Sequence, residues 1–399
     1  MLTIDKFYDA RKVLSSVLRQ THLIHAPRFS MDAEVYIKPE NLQITGSFKV
    51  RGAYYKIAKL SDEDKKRGVV ACSAGNHAQG VALGSQANNI KAKIFVPSTA
   101  PISKVEATKR YGAEVVLVDG IYDDAYAAAC EEVERTGAVF VHPFDDEDII
   151  AGQGTIGLEM LEDLSSAEAV VIPIGGGGLA SGVAMAVKTL NPDCLVFGVQ
   201  AAGAPSMSDS YHANKIISGN IVKTFADGIA VKKPGSLTYE LCRKYLDDIV
   251  TVSDDEIAAA ILTLIEGQKL IAEGAGATGL AAILARKLPI HSKKTICLVS
   301  GGNIDVNILS RVINRGLVSS GRKSELSIEL LDRPGELTRV SSIVSSLGAN
   351  VVSVNHARGN INNDINGCFL QIAMETRDFA HLDEIRNALR NAGYVVDEK

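Results

Sequence analysis

The chain has 399 residues, 46% hydrophobic and 22% charged, with a formal net charge of -5. That length suggests two or three domains with ample core, and the charge balance offers neither a basic footprint for nucleic acid nor a polybasic patch for a membrane. Trp is absent and aromatic residues make up 5%, which argues against a base-stacking surface.

The N-terminal stretch MLTIDKFYDARKVLSSVL mixes Asp, Lys and Arg with apolar residues at helical spacing. It lacks the uninterrupted apolar segment of a signal peptide. No apolar run reaches membrane-spanning length, so the expected location is the cytoplasm. From about residue 35 strands and helices alternate. VYIKPE (35–40), GVVACS (68–73), AKIFVP (92–97), EVVLVD (114–119) and AVFVHP (138–143) are β-rich runs, with helical stretches at 48–60, 76–89, 103–112 and 121–137. The rhythm resumes with AVVIPIG (169–175), LVFGVQA (195–201) and KTICLVS (294–300), separated by helices at 179–190, 254–272 and 276–288. Runs apolar on both faces predict buried parallel strands covered by helices, an α/β architecture.

At 316–325, GLVSSGRKSE turns to Gly, Ser and charge and reads as a linker. Beyond it ELSIELLD alternates, with Leu326, Ile328 and Leu330 on one face. PGELTRVSSIVSSLG predicts a helix with Leu337, Val340, Val344 and Leu347 along one stripe. NVVSVNHARG and CFLQIAMET read as strands, the second with Cys368, Leu370, Ile372 and Met374 on one face. HLDEIRNALRNAG is a second helix and YVVDE a last strand. The order βαββαβ fits a ferredoxin-like module. The six cysteines, Cys72, Cys130, Cys194, Cys242, Cys297 and Cys368, have no CxxC pair. Reduced, mostly buried thiols are expected, rather than a disulfide framework or a zinc site.

Four Gly-rich segments fall at strand-to-helix junctions, where ligands of open α/β sheets bind. In IPIGGGGLASG (172–182) four glycines end a strand and open a helix. Their backbone N–H groups and the helix N-terminus make an anion cradle. The run is not G-x-G-x-x-G, the next strand ends in Gln-Ala rather than an acid, and G-K-[ST] is absent, so a single phosphate fits better than a dinucleotide. SAGNHAQG (73–80) offers Ser73, Asn76 and local N–H groups to a carboxylate or phenolic oxygen. Alone, it reads equally well as an elaborate helix cap. VSGGNID (299–305) presents Ser300 at a strand end. In AEGAGATG (272–279), Glu273 reads more simply as a helix-start charge. ITGSFKVRGA (44–53) places Lys49 at a helix start beside Phe48, with Arg51 close by. Desolvation and the helix N-terminus should depress the pKa of such an amine. An amine of that kind suits covalent bonding to an aldehyde, and a cofactor carrying one phosphate and one aldehyde is pyridoxal 5'-phosphate. Arg51 either lowers the pKa of Lys49 or pairs with an acid nearby.

SFKVRGA, SAGNHAQG, GGGGLASG and SGGN occur in that order, and together they resemble the serine/threonine dehydratase branch of fold-type II pyridoxal-phosphate enzymes over residues 5–318. DRPGEL and GANVVSV resemble an ACT domain, and the whole is similar to threonine ammonia-lyases with one such domain. The resemblance implies two parallel-sheet subdomains with the cofactor between them. Residues 1–320 would be catalytic, a small subdomain of about 40–140 being inserted in the larger, and 321–399 would form the ferredoxin-like ACT domain. Lys49 would bond the cofactor aldehyde and take the Cα proton. Phe48 and Gly228 would flank the ring, and Gly175, Gly176, Gly177, Gly178 and Leu179 would bind the phosphate. Asn76 would meet the 3'-oxygen and Ser300 the pyridine nitrogen. Ser73, Ala74, Gly75, Asn76 and His77 would surround the substrate carboxylate, with Ser73 also counted among the catalytic residues. The implied reaction converts L-threonine to 2-oxobutanoate and ammonia, and L-serine to pyruvate. The implied effector is isoleucine or valine at the ACT domain, and the implied assembly a homodimer or homotetramer. Serine racemases of this kind carry a serine where Ala74 stands, so racemisation is disfavoured. Metal-activated members carry acids near Gln200, Ala204 and Ser206. No divalent metal site is therefore expected, although backbone carbonyls remain able to hold a monovalent cation. A threonine or cysteine synthase, or an amino-acid sensor that binds the cofactor without turnover, would use the same lysine and glycines.

Overall fold

The apolar runs that alternate with helices become two parallel sheets. A computed structural model describes residues 2–29, 32–219, 222–357 and 367–398, and the chain divides into the units Met1–Asp305 and Val306–Lys399. In the first unit the larger sheet has the order Ile24–His25, Glu34–Pro39, Lys294–Val299, Ala169–Pro173, Leu195–Ala201, Asp248–Val252. All its pairings are parallel except the first. The smaller sheet runs Glu114–Val118, Ala92–Pro97, Val69–Cys72, Val139–Phe140, parallel throughout. The chain thus starts the larger sheet, leaves it to build the smaller one, and returns. Val69–Cys72 and Ala169–Pro173 are buried at every position, as strands covered on both faces must be. Glu114–Val118 stays partly exposed because it is an edge strand.

Close packing of three helices sets the position of the lysine turn. Gly80, on the helix Asn76–Ala87, faces the Lys49 carbonyl so closely that a Cβ would stand 3.1 Å from it. Gly152, on the helix Glu147–Asp163, lies against Arg51, where a Cβ would stand 2.5 Å from the carbonyl oxygen. The helix Lys49–Ala58 is held between them. Glu147–Asp163 escaped the sequence reading because it is buried on nearly every side and so shows no amphipathic stripe. The strand Asp248–Val252 and the helices Ser206–His212, Ser236–Tyr245 and Val306–Ser319 were not foreseen either. The helix expected to reach residue 272 ends at Gln268, because Lys269 turns left-handed at φ 59°.

The second unit is an antiparallel sheet in the order Asn350–Ala357, Gly367–Glu375, Lys323–Leu331, Val395–Glu398. The helices Glu336–Ser346 and Phe379–Asn391 pack into one core with Leu326, Ile328, Leu330, Cys368, Leu370, Ile372 and Met374. The order βαββαβ is as expected. Arg358 and Gly359, the end of one expected strand, lie outside the described residues. Two expectations need correcting. Residues 316–325 are not a linker but the end of the helix Val306–Ser319, a turn at Gly321 (φ 67°) and the first residues of a strand. Leu337 is exposed, so the buried stripe of its helix is Val340 and Val344, flanked by Ile343 and Leu347.

Candidate active site

The lysine turn is built to a tight tolerance. Gly46 takes φ 71°, and a Cβ there would fall 2.3 Å from Asn303 Oδ1, so residue 46 must lack a side chain. The Phe48 N–H donates to the Ser300 carbonyl at 3.1 Å, and Ser47 bridges Gly301. These bonds pin the turn to the strand end that carries Ser300, itself buried. Lys49 begins its helix half-buried. Its Nζ donates to Pro143 O at 2.8 Å and lies 5.2 Å from the centre of the Phe48 ring. Burial lowers the Lys49 pKa to about 8, with the Glu273 carboxylate opposing the shift. Arg51 is fully buried and paired with Glu40 and Glu159, which settles its role as structural.

The glycine run follows the strand Ala169–Pro173. Gly177 takes φ 100° as the N-cap, and the helix Gly178–Leu190 begins after it. None of the four glycines has room for a side chain. A Cβ on Gly176 would meet the Phe144 ring at 2.4 Å, one on Gly177 would meet Met207 at 2.6 Å, and one on Gly178 would meet the Phe144 backbone at 2.9 Å. At Gly175 the nearest atom is Ile229 Cα, at 3.1 Å. Thr238 Oγ1 donates to Gly176 O at 2.6 Å. Leu179 buries its side chain in the core, so only its N–H is available to a ligand. Beside the cradle both polar atoms of the Gln153 side chain are buried without a hydrogen bond, the amide oxygen 3.0 Å from where a Gly178 Cβ would stand. Of its two polar atoms only the Nε2 can donate to an anion, so the Gln153 amide is one free donor beside the helix start. The Gln200 amide donates to Ile174 O and Gly175 O and accepts from the Ser208 N–H, while Ser206 donates to Val231 O. These neutral side chains are committed to the fold.

At the turn before Asn76–Ala87, the Ser73 hydroxyl accepts the Gly75 N–H at 3.2 Å. A Cβ on Gly75 would meet nothing within 4 Å, so open space faces the helix start. Ala74 is half-buried. Asn76 is clamped from both sides: its Nδ2 donates to Glu273 Oε1 at 2.6 Å, and its Oδ1 accepts from Asn303 Nδ2 at 2.8 Å. One of its two amide hydrogens remains available. The His77 ring is buried and bonded to Val141 O at 2.8 Å. Burial, reinforced by Lys49, lowers its pKa to about 3, so it stays neutral and donates from Nε2. The side chain is structural, and what His77 offers a ligand is its backbone N–H in the first helical turn.

These segments close into one ring. Lys49 reaches Pro143, and Phe144 next to it lies against Gly176 and Gly178. Gly175 stands against Gly228 and Ile229, and Gly228 in turn faces Glu273. Glu273 holds Asn76, Asn76 holds Asn303, and Asn303 Nδ2 also donates to Thr45 O at 2.8 Å, back in the lysine turn. Glu273 is 5% exposed. Burial, then the Asp227 charge, raises its pKa to about 7. It is the N-cap of the helix Gly274–Leu284, at the helix start where the sequence put it, but its side chain makes no cap bond and instead presents a protonatable group to the ring. Asn303 lay in the SGGN motif and could have been singled out. Glu273 stands out in the sequence only as a helix-start charge; Gln153, Phe144 and Thr238 carry no local signal there.

Against known proteins, the family model of pyridoxal-phosphate dependent enzymes matches residues 14–302. The chain belongs to that family. It is 51% identical over 398 residues to an L-threonine ammonia-lyase of Thermotoga maritima, covering 99% of each chain. It is 46% identical over 315 residues to a catabolic L-threonine dehydratase of Escherichia coli, covering 78% of this chain and 96% of that one. Among solved structures it superposes on the processed form of threonine deaminase isoform 2 of Solanum lycopersicum with a TM-score of 0.75, at 38% identity, covering 79% of this chain and 88% of that one. Pyridoxal 5'-phosphate is the cofactor of this family. The glycine cradle with its orphaned Gln153, the buried amine and the clamped Asn76 fit its phosphate, aldehyde and phenolic oxygen. Among the described residues no helix is long and apolar enough to cross a membrane.

Proposed function

We propose that the chain deaminates L-threonine to 2-oxobutanoate and ammonia by β-elimination, with L-serine giving pyruvate as a side reaction. The observation that carries this reading is the Lys49 amine, lowered toward neutral pH by burial and joined to the glycine cradle through Pro143 and Phe144. When bound, the cofactor supplies an electrophilic carbon for amines and a conjugated ring that withdraws electrons from Cα. The protein would do the rest. N–H groups of Gly175–Leu179 hold the phosphate. The Ser73–His77 turn, through its N–H groups and Asn76, holds the substrate carboxylate. Phe48 and Gly228 define the faces of the slot. Ser300 would meet the pyridine nitrogen and, being neutral, would not hold it protonated. The site therefore favours prompt loss of the β-hydroxyl over reactions that need a long-lived carbanion. Neutral Lys49 takes the Cα proton, the hydroxyl leaves as water, and water returns when the released enamine product hydrolyses. Borohydride reduction of the cofactor-loaded protein should fix the cofactor to the Lys49 peptide. A label on another lysine, or deamination by Lys49→Ala, would refute the assignment.

The second unit supports an ACT-type regulatory reading for residues 321–399, with 1–320 catalytic. The E. coli relative is almost fully matched by 78% of this chain, so the remainder is an addition to a catalytic body. Isoleucine, or valine, would bind near Asp332–Leu337 and Gly348–Asn350, where Gly335 and Gly348 take φ 97° and 86°. It would inhibit by preferring a less active state. Deleting 322–399 should spare deamination and abolish the isoleucine response; inhibition that persists places the effector elsewhere. The reading also holds the protein to be a cytoplasmic homodimer or homotetramer and leaves a monovalent cation, held by backbone carbonyls, as a further ligand to test.

A further inference from the structure

The second unit carries three metal-ligating side chains that catalysis does not use, and of these only Asp332 touches the loop proposed above for the effector. Asp332 follows the strand Lys323–Leu331, His356 sits on Asn350–Ala357, and Cys368 on Gly367–Glu375. These strands are neighbours in the sheet. Among the described residues this is the one trio of His, Cys and carboxylate side chains whose ligating atoms all lie within 4.8 Å of one another. His356 Nε2 is 3.0 Å from Cys368 Sγ and 4.0 Å from Asp332 Oδ1. The Asp332 and His356 side chains are partly open to solvent, while Cys368 forms a buried floor. Cys368 sits in the apolar core with Leu370 and Leu330, and its thiol donates to Leu330 O at 3.5 Å. The same sulfur also has the His356 Nε2 within hydrogen-bond distance, so a solvent-facing imidazole reaches a core thiol.

The spacing suits a small tetrahedral centre. Bonds of about 2.0 Å to nitrogen, 2.3 Å to sulfur and 2.1 Å to oxygen place pairs of donors roughly 3.3–3.6 Å apart. The observed 3.0 and 4.0 Å straddle that range, and the third pair lies within 4.8 Å. The donor set of one thiolate, one imidazole and one carboxylate excludes hard, all-oxygen ions such as Mg²⁺ and Ca²⁺ and suits a borderline-soft one. We propose that Asp332, His356 and Cys368 form a binding site for a Zn²⁺-class ion, with water in the fourth position. Binding forms a metal–sulfur bond and sends the thiol proton to solvent, while His356 binds as the neutral imidazole. The ion ties together the ends of three strands and fixes Asp332 at the entrance to the Asp332–Leu337 loop. Any effect on the effector response rests on the regulatory reading above; the site itself does not.

The test is Co²⁺ titration of the full-length protein after chelator treatment. The expected result is one Co²⁺ per chain with a thiolate-to-cobalt charge-transfer band, both abolished by stoichiometric Zn²⁺. Cys368→Ser should remove the band. His356→Ala and Asp332→Asn, at partly exposed positions that leave the core intact, should each weaken binding by more than the roughly 10–100-fold lost with an outer-sphere partner. Absence of the band, its survival in Cys368→Ser, or unchanged affinity in His356→Ala overturns the site. If Cys368→Ser does not fold, His356→Ala decides.

Discussion

Replacing Arg51 by Met tests whether the lysine turn is held by a buried charge network. The guanidinium makes five hydrogen bonds: Nε and Nη2 to Glu40, Nη1 and Nη2 to Glu159, and Nη1 to Thr155, between 2.6 and 3.0 Å. Lys38 adds bonds to Glu159 at 2.6 Å and to Thr21 O at 2.7 Å, and Thr21 donates to Glu40 at 2.6 Å. Burial works against ionisation of Glu159, but Arg51 and Lys38 outweigh it and hold its pKa at about 2. Arg51 and Glu40 are both fully buried. Arg51→Met fills the volume and strands Glu40 as an unpaired interior charge, at a cost of about 3–5 kcal/mol. With about 2.1 cal/mol/K of unfolding entropy per residue over the first unit, that cost lowers the unfolding midpoint by roughly 5–8 °C. Thermal denaturation followed by circular dichroism measures it. Adding Glu40→Gln should recover much of the loss, because the stranded charge is gone. Arg51 is fully engaged with these partners, so the pH profile of deamination by the folded variant should match that of the parent. A midpoint within about 1 °C of the parent, or a double variant no better than the single, would refute the network argument. A shifted pH profile would return Arg51 to the chemistry of Lys49.

Glu273→Gln should flatten the stability–pH curve of the cofactor-free protein. The folded pKa of about 7 exceeds the unfolded 4.5, so this group's contribution is complete below 4.5 and is lost as pH rises through 7, a swing of about 3 kcal/mol. Urea melts at several pH values measure it, and equal slopes for parent and variant would contradict the assignment. The same change removes a carboxylate that raises the Lys49 pKa, so the Lys49 amine should titrate lower in the variant. Gly176→Ala drives a methyl into the Phe144 ring. It should cost about 1–3 kcal/mol of stability and weaken cofactor retention on gel filtration more than Gly228→Ala does. Asn303→Ala frees both the lysine turn and Asn76 and should raise KM for threonine while leaving cofactor attachment to Lys49 intact.

What the sequence revealed, and what it hid, follows from how far each interaction reaches along the chain. The glycine cradle, the SAGNH turn and the lysine turn are local: a strand end, one or two glycines and a helix start fit within a few residues, so spacing alone exposes them. The strands were legible for a similar reason, since runs apolar on both faces mark buried parallel sheet. Glu147–Asp163 was not, because complete burial erases the stripe on which helix recognition depends. Glu273 and Arg51 are visible in the sequence, and pairing with an acid is one of the two readings of Arg51, but the partners that set their character were not legible, for a different reason. Each has an unremarkable local context, and each takes its character from partners remote in sequence: Asn76, 197 positions from Glu273, and Glu159, 108 positions from Arg51. A buried carboxyl next to an apolar helix start and a solvated one look alike until the fold decides which of them loses water. The same holds for Asp332, His356 and Cys368, whose spacing of 24 and 12 residues matches no ligand motif, but which strand pairing brings to one end of a sheet. In each case the sequence indicates where a ligand's edges are held by backbone, and only the fold indicates which ionisable side chains have been desolvated around it. Variants at Glu273, which is desolvated and faces Asn76 and Lys49, should therefore move the pH profile more than variants at the glycines, whose contribution is backbone geometry.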